Sequence, residues 1–564
     1  MNSKNIKSLL FVTGTVLSLL IFAVNFTACS SHILDIQEGL QSTSTPTQPA
    51  STPETTPPPE PTPTPTPAPT PTAHSITVTS GEHGTISVDK TNAAAGETVT
   101  ITVTPEADYM LDVLTITDSS GNAIAISAAK TFTMPESDVT VSGTFKFARL
   151  VMLSGPSINS ILDQNNVRLI VTKFIHSATP PETGIATYKL SADNSDVDVL
   201  AWLDGTTIKF YAEGYTDSNR KIPLNADSKL LFMSCSSLQV IDTEVFDTAA
   251  VTDMRSMFSG CVNLTTLNLS GFDTAAVSDM RYMFFGCNKL ETIVFPNKFL
   301  TSNVKATYSM FHGCESLTSL DLSSFDTSNV TDMRYMFNNC KKLETIVFSN
   351  KFLTSNVKTM APMFYGCESL TSLDLSSFDT SNVTDMREMF YGCKKLETIV
   401  FSNKFLTSNV ETMASMFSSC ESLTSLDLSN FDTSNVTDMS RMFSDCKKLE
   451  TIVFSNKFLT SNVEAMNSMF SICESLISLD LSSFDTSNVT NMKQMFILDY
   501  SLTTIFVGNG FDTSNVTNSD SMFGSCRSLV GGGGTTYSTS DPKDKTYARI
   551  DDPANGNPGY FTRK

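Results

Sequence analysis

The most prominent pattern along the chain is a long-period repeat of apolar positions in its second half. A Met-Phe pair recurs, with an imperfect first copy at Leu231-Phe232, so that there are twelve copies. From Phe284 onward the steps alternate between 27 and 26 residues, and the full unit is therefore a pair of copies, 53 residues long. The later copies place their Phe at positions 258, 284, 311, 337, 364, 390, 417, 443, 470, 496 and 523.

Each copy also carries the spacing L-x-x-L-x-L, as at Leu370, Leu373 and Leu375. A period of 20–29 residues with this spacing is typical of a leucine-rich-repeat solenoid. In such a fold the apolar positions face inward and the residues between them face out. The pattern predicts a solenoid over 231–530, with parallel β-strands on one face and short helical turns on the other.

The polar run Asp-Thr-Ser-Asn-Val-Thr-Asp precedes each predicted helical turn. Asn329 is placed to cap the turn, with Asp332 at the third position as a capping-box partner. Calcium binding is the alternative interpretation, because carboxylates recur with the repeat. Alternate copies begin with Leu in place of the first Asp, which leaves carboxylates about 10 Å apart, too far to share one ion. Turn and cap chemistry is therefore preferred, and no metal or other cofactor is expected.

Before the repeats the apolar spacing changes to period two. Residues 75–148 alternate apolar and polar positions between turn signals, which predicts about six short antiparallel strands in a small sandwich-like all-β domain. Residues 149–230 carry further strand patterns and a hairpin turn at Asp204-Gly205, and we interpret this segment as the N-terminal flank of the solenoid. After the repeats, residues 531–564 are expected to cover the last copy, because terminal repeats need caps.

The N-terminus has the composition of a targeting segment. Residues 1–28 combine a short basic start with an apolar stretch and end in Phe-Thr-Ala before Cys29, as expected of a signal peptide. The sequence around Cys29 resembles the lipobox of bacterial lipoproteins, which implies that this cysteine carries lipid; a plain secretory signal or an uncleaved anchor is the alternative. Residues 29–74 then form a Pro/Thr-rich stalk of extended polyproline conformation. A Pro-rich docking ligand is the other interpretation of that run.

Eleven of the twelve cysteines occupy one repeat position, three residues after the repeated Phe. No pair has the C-x-x-C spacing of a zinc site. Stacked copies would leave the Cβ atoms parallel and about 4.8 Å apart, which exceeds the usual disulfide range. We therefore expect a buried column of free thiols that act as small hydrophobes. In the remaining copy Asp499 takes the place of Cys.

Composition and charge limit the classes of function that we expect for the chain. The 564 residues hold 38 basic and 58 acidic side chains, a net charge of −20, which argues against nucleic acid as a partner. Only five His are present, and neither a nucleophile motif nor a phosphate loop occurs. The carboxylates recur with the repeat, as a solvated surface does. We therefore expect a protein that is not an enzyme.

Two segments resemble known families. The motif F-x-x-C-x-x-L-x-x-L-x-L with F-D-T-S-N-V is similar to the BspA family of leucine-rich-repeat surface proteins, in its Mycoplasma-type form. Residues from Ile76 onward, with Gly96-Glu-Thr-Val-Thr-Ile, resemble the divergent internalin-type B-repeat domains. The resemblance implies a lipid-anchored protein on the bacterial surface, in the outer membrane if the cell is Gram-negative. Its partner would be a host extracellular protein or a surface protein of other bacteria.

Two other functions stay open at this point. Near-identical copies also suit a passive coat or variable antigen without a ligand. A carbohydrate-binding module is the weaker choice, because the predicted strand face offers few aromatic side chains.

The predicted binding surface is the outward face of the strands. Reading down the copies gives an acidic row separated by exposed valines and flanked by hydroxyls. The candidate residues are Asp321, Thr345, Val347, Asp374, Thr398, Val400, Asp427, Thr451, Val453 and Asp480.

Overall fold

The computed structural model describes residues 71–106, 109–164, 166–215, 220–296 and 299–564. The predicted signal peptide (1–28), Cys29 and most of the predicted stalk (29–74) lie outside the described residues. Within the described ranges, no helix combines the length and the apolar character needed to cross a bilayer. The described chain is mostly β, with one α-helix, α1, at Gly155–Gln164.

The first domain contains seven strands rather than about six. They form two sheets, ordered β3-β1-β7-β5 and β2-β4-β6, that share one core. Val99 and Val141 at its centre are fully buried. The strands are β1 Ala73–Ser80, β2 Gly84–Val88, β3 Asn92–Ala94, β4 Thr98–Pro105, β5 Tyr109–Asp118, β6 Thr131–Thr133 and β7 Val139–Phe147.

One strand pair in this domain departs from the prediction. The first and last strands pair in parallel, with Ile76 opposite Val139, whereas an all-antiparallel domain was expected. The two strands are more than fifty residues apart in sequence, so period-two alternation carries no signal for their direction. In the same domain the His83 ring stacks on Tyr109, with centroids 3.9 Å apart, and its Nδ1 lies 3.3 Å from Oε2 of Glu106.

The flank before the repeats combines the helix with short strands. α1 buries Ile158 and Leu162, four residues apart, against the core that continues into the repeats. At its start Gly155 lies so close to the backbone of Lys229 that a Cβ would come within 2.2 Å of that carbonyl oxygen. The strands are β8 Lys173–His176, β9 Tyr188–Lys189, β10 Val199–Asp204, β11 Thr207–Ala212 and β12 Ile222–Pro223.

The predicted hairpin of the flank is present, one residue later than expected. β10 and β11 pair antiparallel from Val199↔Ala212 to Asp204↔Thr207, so the loop residues are Gly205 and Thr206. Gly205 has φ of +60°, which glycine adopts without steric cost.

Within the described residues, each of the first eleven copies of the repeat contributes one short strand. Its inward positions are apolar and its outward positions are exposed, as the pattern L-x-x-L-x-L predicts. β14, Phe246–Asp247, lies outside this series and pairs with β12 of the flank. The strands of the series are β13 Val240–Ile241, β15 Thr266–Asn268, β16 Thr292–Val294, β17 Ser319–Leu322, β18 Thr345–Phe348, β19 Ser372–Leu375, β20 Thr398–Phe401, β21 Ser425–Leu428, β22 Thr451–Phe454, β23 Ser478–Leu481 and β24 Thr504–Val507.

These strands pair in parallel, but mostly in twos rather than in one continuous sheet. β17 pairs with β18, β19 with β20, and β21 with β22. The longer, 27-residue step falls after β18, where three residues lie between Phe348 and Phe352, against two between Leu322 and Phe325. The Phe348 ring packs at 5.4 Å against Phe378 of the following repeat. An extra residue and a bulky ring at this place account for the break that the prediction of evenly stacked strands missed.

A second set of contacts joins every repeat to the next. Single parallel bridges link twelve equivalent positions from Asp227 to Asn518 without interruption. The repeated Phe side chains stack beside them from Phe232 to Phe523, with centroids 5.3–5.9 Å apart and interplanar angles of 3–17°. Each repeat therefore gains its main contacts from its immediate neighbours along the chain.

The predicted short helical turns are wrong. Among the described residues of the repeats, the segment around the repeated Phe consists of turns without α- or 3-10 helix. Two residues have positive φ in every copy except that of Phe364, as at Tyr335 (58°) and Asn339 (59°), on either side of Phe337. A left-handed residue ends a right-handed helix. Val330, Met333 and Phe337 have the spacing of a helical apolar stripe, and all three are buried in one core although the backbone between them is not helical.

The C-terminal segment adds one strand beside the last strand of the repeats. β25, Phe561–Arg563, pairs in parallel with β24. The Asp551 carboxylate accepts from the backbone of Gly533, Thr535 and Gly559 and so fastens the glycine run to the tail. Two short 3-10 turns, Lys545–Tyr547 and Pro553–Asn555, lie between them.

Candidate functional site

The predicted strand face is exposed where it was expected. Asp321 and Val347 are direct partners in the β17–β18 register, and Val347 is 53% exposed. The same arrangement recurs in the next pairs, with the neighbouring hydroxyls also exposed. The further members that share this placement are Thr345, Asp374, Thr398, Val400, Asp427, Thr451, Val453 and Asp480.

The carboxylates on this face already have local partners. Asp321 accepts a hydrogen bond from the backbone N–H of Ser323, at 2.9 Å, and Asp374 does the same with Ser376. Asp480 in addition pairs with Lys564 of the C-terminal tail. These bonds hold the carboxylates toward the turn that follows each strand, and they give the Asp residues a structural role at this position.

The run Asp-Thr-Ser-Asn has a different role from the one predicted. Asn329 does not cap its own turn; its Nδ2 donates to the carbonyl of Ser302 in the preceding repeat, at 2.7 Å. Asp332 accepts from the backbone and guanidinium of Arg334 rather than closing a capping box. The equivalent inter-repeat bonds, 2.6–2.7 Å long, are made by Asn303, Asn356, Asn382, Asn409, Asn435, Asn462, Asn488 and Asn515.

The threonine of the same run is buried and also links repeats. Thr354 donates to the carbonyl of Asp379 and accepts from the N–H of that residue, at 2.7 and 2.8 Å. Asp326 accepts from the N–H and the hydroxyl of Ser328. These contacts use the polar groups that the calcium alternative would have needed, and no cluster of three metal-ligating side chains occurs among the described residues.

The eleven repeat cysteines are buried free thiols. Each from Cys261 onward lies within hydrogen-bonding distance of a carbonyl one repeat earlier, as Cys367 Sγ does with the oxygen of Phe337 at 3.2 Å. Burial raises the pKa of Cys367 to about 12, which keeps it a thiol at neutral pH. Asp499 stands in the same column, where it accepts from the N–H of Cys473 at 2.8 Å while its other oxygen has no partner.

An aromatic cluster on the turn side was missed by the sequence analysis. Tyr308 lies between Tyr282 and Tyr335, with centroids 5.0 and 5.6 Å away and rings edge to face. The Arg334 guanidinium lies 5.1 Å from the centre of the Tyr308 ring. On the same side His312 stacks on Phe285 at 4.8 Å. We call these six residues, with Arg281, the Tyr-Arg cluster.

The Tyr-Arg cluster is half-buried and held rigid by its neighbours. Arg281 pairs with Asp279 at 2.6 Å and Arg334 with Asp332 at 2.8 Å. Burial lowers the pKa of His312 to about 4, so its ring is neutral at pH 7. The cluster therefore presents preorganised rings and fixed guanidinium groups at a partly solvent-accessible surface.

The cluster is confined to one part of an otherwise repetitive array. In the later repeats Ser415 and Ser468 occupy the position of Tyr282 and Tyr335, and Ser440 occupies that of Tyr308. This departure from the repeat was visible in the sequence. Its meaning was not, because the rings are about 26 residues apart along the chain and meet only when the repeats stack.

Comparison with known proteins identifies two regions of the chain. The family described as Mycoplasma protein of unknown function, DUF285, matches residues 226–345, 318–425, 371–456 and 451–547. A divergent InlB B-repeat domain matches residues 74–149. The comparison with curated proteins finds no match.

Among solved structures, one similar chain is that of the crystal structure titled TLR13-ssRNA13 complex. The match has 16% identity and a TM-score of 0.16, and covers 55% of this chain and 52% of that one. It thus spans about half of the solved chain, and a TM-score this low carries no argument about fold or ligand. The matches to the repeat family together run over 226–547, more than half of the sequence, and the chain therefore belongs to the Mycoplasma protein family of unknown function, DUF285.

Proposed function

We propose that this chain is a bacterial surface adhesin whose repeat array, a solenoid of the leucine-rich-repeat type, binds a protein partner. The observation that carries the proposal is the Tyr-Arg cluster. Tyr and Arg are enriched among the residues that dominate the binding energy of protein interfaces. Here three Tyr and two Arg are concentrated within three successive repeats, whereas Ser415 and Ser468 stand at the position of Tyr282 in two later repeats.

The geometry of the cluster suits recognition of a protein. The Tyr308 ring contacts Tyr282 and Tyr335 edge to face, and the guanidinium groups are paired with Asp residues. Such a surface loses little side-chain entropy when a partner binds, since its rotamers are already restricted. A protein of a host cell or of another bacterium is the partner class that we propose.

The remaining parts of the chain fit display at the cell surface. A lipid on Cys29 would anchor the protein, and the Pro/Thr-rich stalk would separate the folded domains from the membrane. The domain at 74–149, which matches the B-repeat family, would act as a spacer between stalk and repeats. In this arrangement the protein needs neither a cofactor nor catalytic activity.

The strand face stays a prediction as a second contact surface. Its exposed valines and aspartates repeat along the array, but it has no Tyr or Arg anchor comparable to the cluster. Weak contacts of this kind would gain strength through many copies on one cell.

The test replaces the three rings by the residue that the later repeats carry at the same positions. The variant Tyr282→Ser, Tyr308→Ser, Tyr335→Ser is expected to keep its fold, because Ser415 has the same left-handed backbone as Tyr282. Its binding to host cells and to other bacteria, measured with labelled full-length protein, should fall at least about tenfold, the loss typical of removing interface anchors.

The matched variant tests the strand face. Asp321→Lys, Asp374→Lys, Asp427→Lys and Asp480→Lys reverse the acidic row and leave the Tyr-Arg cluster intact. Full binding by the triple Tyr variant together with loss in the Asp variant would move the site to the strands. If the parent protein binds neither host cells nor bacteria, the adhesin proposal is wrong and a passive coat is the better account.

A further inference from the structure

The residues that precede the parallel bridge positions, such as Asp332 and Asp385, form a row along the array. In the middle of the array this row alternates Thr with charged side chains. The backbone N–H of each row member donates to the carbonyl of the member one repeat earlier, as Glu411 does to Thr384 at 2.9 Å and Thr384 to Lys358 at 3.2 Å. We call it the Lys-Glu row. In order, its members are Lys305, Thr331, Lys358, Thr384, Glu411, Thr437 and Glu464.

The charges in the Lys-Glu row are separated by sign. The earlier half carries Lys305 and Lys358, and the later half carries Glu411 and Glu464, with Thr in between. Because neighbouring members are hydrogen-bonded, they lie about 4.8 Å apart, so Lys358 and Glu411 are about 10 Å from each other. All four charged side chains are exposed, and within the described residues none has an ion-pair partner within 4 Å.

Elsewhere the same array pairs its charges between adjacent repeats. Lys341 contacts Glu315 at 3.0 Å, Lys394 contacts Glu368 at 2.9 Å, and Lys447 contacts Glu421 at 2.8 Å. That arrangement satisfies each charge within one molecule. The Lys-Glu row places its charges two repeats apart and so leaves them available to another molecule.

The charge pattern of the row reverses its sign about the middle member, Thr384. Lys358 and Glu411 lie one repeat on either side of Thr384, and Lys305 and Glu464 lie three repeats on either side. An open groove of about 740 Å³ surrounds this centre, lined by Lys358, Asn382, Thr384, Asn409, Glu411 and Asn435. A second copy laid antiparallel across Thr384 would set each Lys opposite a Glu of its partner.

We propose that this face is a self-association surface, on which two copies of the chain pair antiparallel about Thr384. A two-fold contact uses the same patch on both partners, so a surface must be self-complementary to form one. The Lys-Glu row meets that condition, with Lys305 facing Glu464 and Lys358 facing Glu411 in both directions. The proposal does not rest on the Tyr-Arg cluster, whose residues are not members of the row.

The expected contact is weak. From Lys305 to Glu464 the row spans six steps, about 29 Å. A single row of this length buries less than the roughly 800 Å² per partner of a standard interface. Exposed ion pairs also contribute little individually. Association is therefore expected at high protein concentration, as on a crowded surface, rather than as a permanent dimer.

The test uses two variants of the full chain that make the row uniform in sign. The all-Glu variant is Lys305→Glu with Lys358→Glu, and the all-Lys variant is Glu411→Lys with Glu464→Lys. Sedimentation velocity of the parent should show a monomer–dimer equilibrium that tightens with concentration. Each variant alone should have a dissociation constant at least about tenfold weaker, because like charges then face each other. An equimolar mixture of the two should form the mixed dimer.

Matched controls separate this contact from the effect of net charge, which is −20 in the parent and repels other copies. Lys341→Glu with Lys394→Glu changes the charge as the all-Glu variant does, and Glu315→Lys with Glu368→Lys changes it as the all-Lys variant does. These controls should associate more tightly than their row counterparts. A monomeric parent at every concentration, or an all-Glu and all-Lys mixture that stays monomeric, would overturn the proposal.

Discussion

At the residue scale, one set of side chains repeats the same inter-repeat bond down the array. The Asn side chains donate to a carbonyl of the preceding repeat, the buried Thr hydroxyls bond the following repeat, and the Cys thiols contact a carbonyl one repeat earlier. A buried polar group costs little once it has a partner. The array can therefore bury these Thr and Cys side chains without leaving them unpaired.

Asp499 is the exception in this set. It is fully buried in the cysteine column, and one of its carboxylate oxygens has no partner. Burial raises the pKa of the Asp499 carboxyl well above its usual value, because the buried site favours the protonated form. A Cys at this position could contact the carbonyl of Phe470, as the other thiols do in their repeats.

The first prediction at this scale concerns Asp499→Cys. Because the folded pKa is raised, the native state holds more protons than the unfolded state above about pH 4, and stability falls as pH rises through that window. Asp499→Cys should remove this slope and stabilise the chain by about 1–3 kcal/mol at neutral pH. Thermal melting followed by circular dichroism from pH 4 to neutrality measures both effects.

The control for this prediction is the exposed Asp520, one repeat later. Asp520→Asn removes a carboxylate at the surface and should leave the melting temperature and its pH dependence close to those of the parent. An Asp499→Cys protein that melts below the parent at neutral pH would contradict a destabilising carboxyl in the column.

At the element scale, the unit of structure is the 53-residue pair rather than the single copy. β17 and β18 pair with each other, and the break after β18 coincides with the extra residue before Phe352. The Phe stack and the bridge positions nevertheless continue through the break. Two kinds of inter-repeat contact thus follow different periods, one every copy and one every pair.

This periodicity leads to a deletion prediction. Removal of Phe325 to Ser377 takes out one complete pair and joins Ser324 to Phe378, which restores both periods. Each repeat contacts mainly its neighbours, so the shorter chain should remain folded and its melting temperature should change by only a few degrees. Circular dichroism and limited proteolysis would measure the outcome.

A half-repeat deletion serves as the comparison. Removal of Phe325 to Phe337 takes one ring out of the Phe stack and shifts the following strand out of register. This variant should lose its cooperative transition or split into two protease-resistant parts. If both deletions melt alike, the repeats do not stabilise one another in the way that the contacts indicate.

At the scale of the whole molecule, the proposed function depends on which part of the chain faces outward. The repeat core is continuous from the flank at Leu150 to Phe561, whereas the first domain has a core of its own. An anchor at Cys29 would leave both free of the membrane. The predicted location at the membrane surface therefore depends on whether Cys29 carries lipid.

That prediction is tested with Cys29→Ser. Two or three acyl chains bind a membrane stably, whereas a serine carries none. The parent should partition into the detergent phase of a phase-separating extraction, and the cleaved Cys29→Ser protein into the aqueous phase. Cys367→Ser is the control, because its thiol is buried in the repeats and should not affect partition. A cleaved Cys29→Ser protein that stays with membranes would exclude lipidation as the anchor.

The sequence by itself determined which residues form the core. Repeat length, the inward positions such as Leu373, the burial of the cysteines and the exposure of Val347 all follow from apolar spacing within one copy. The side of the strand on which a residue lies, and hence its solvent exposure, depends on its position within one copy. The same pattern recurs in twelve similar copies and is therefore easy to recognise in the sequence.

Only the tertiary structure decided which groups meet across copies. Asn329 has the side chain of a helix cap, yet its donor finds a carbonyl in the repeat before it. Tyr282, Tyr308 and Tyr335 form one cluster because stacking brings residues about 26 apart in sequence to within 6 Å. Partners of this kind depend on the register and spacing of the stack, which packing sets and no single copy of the repeat encodes.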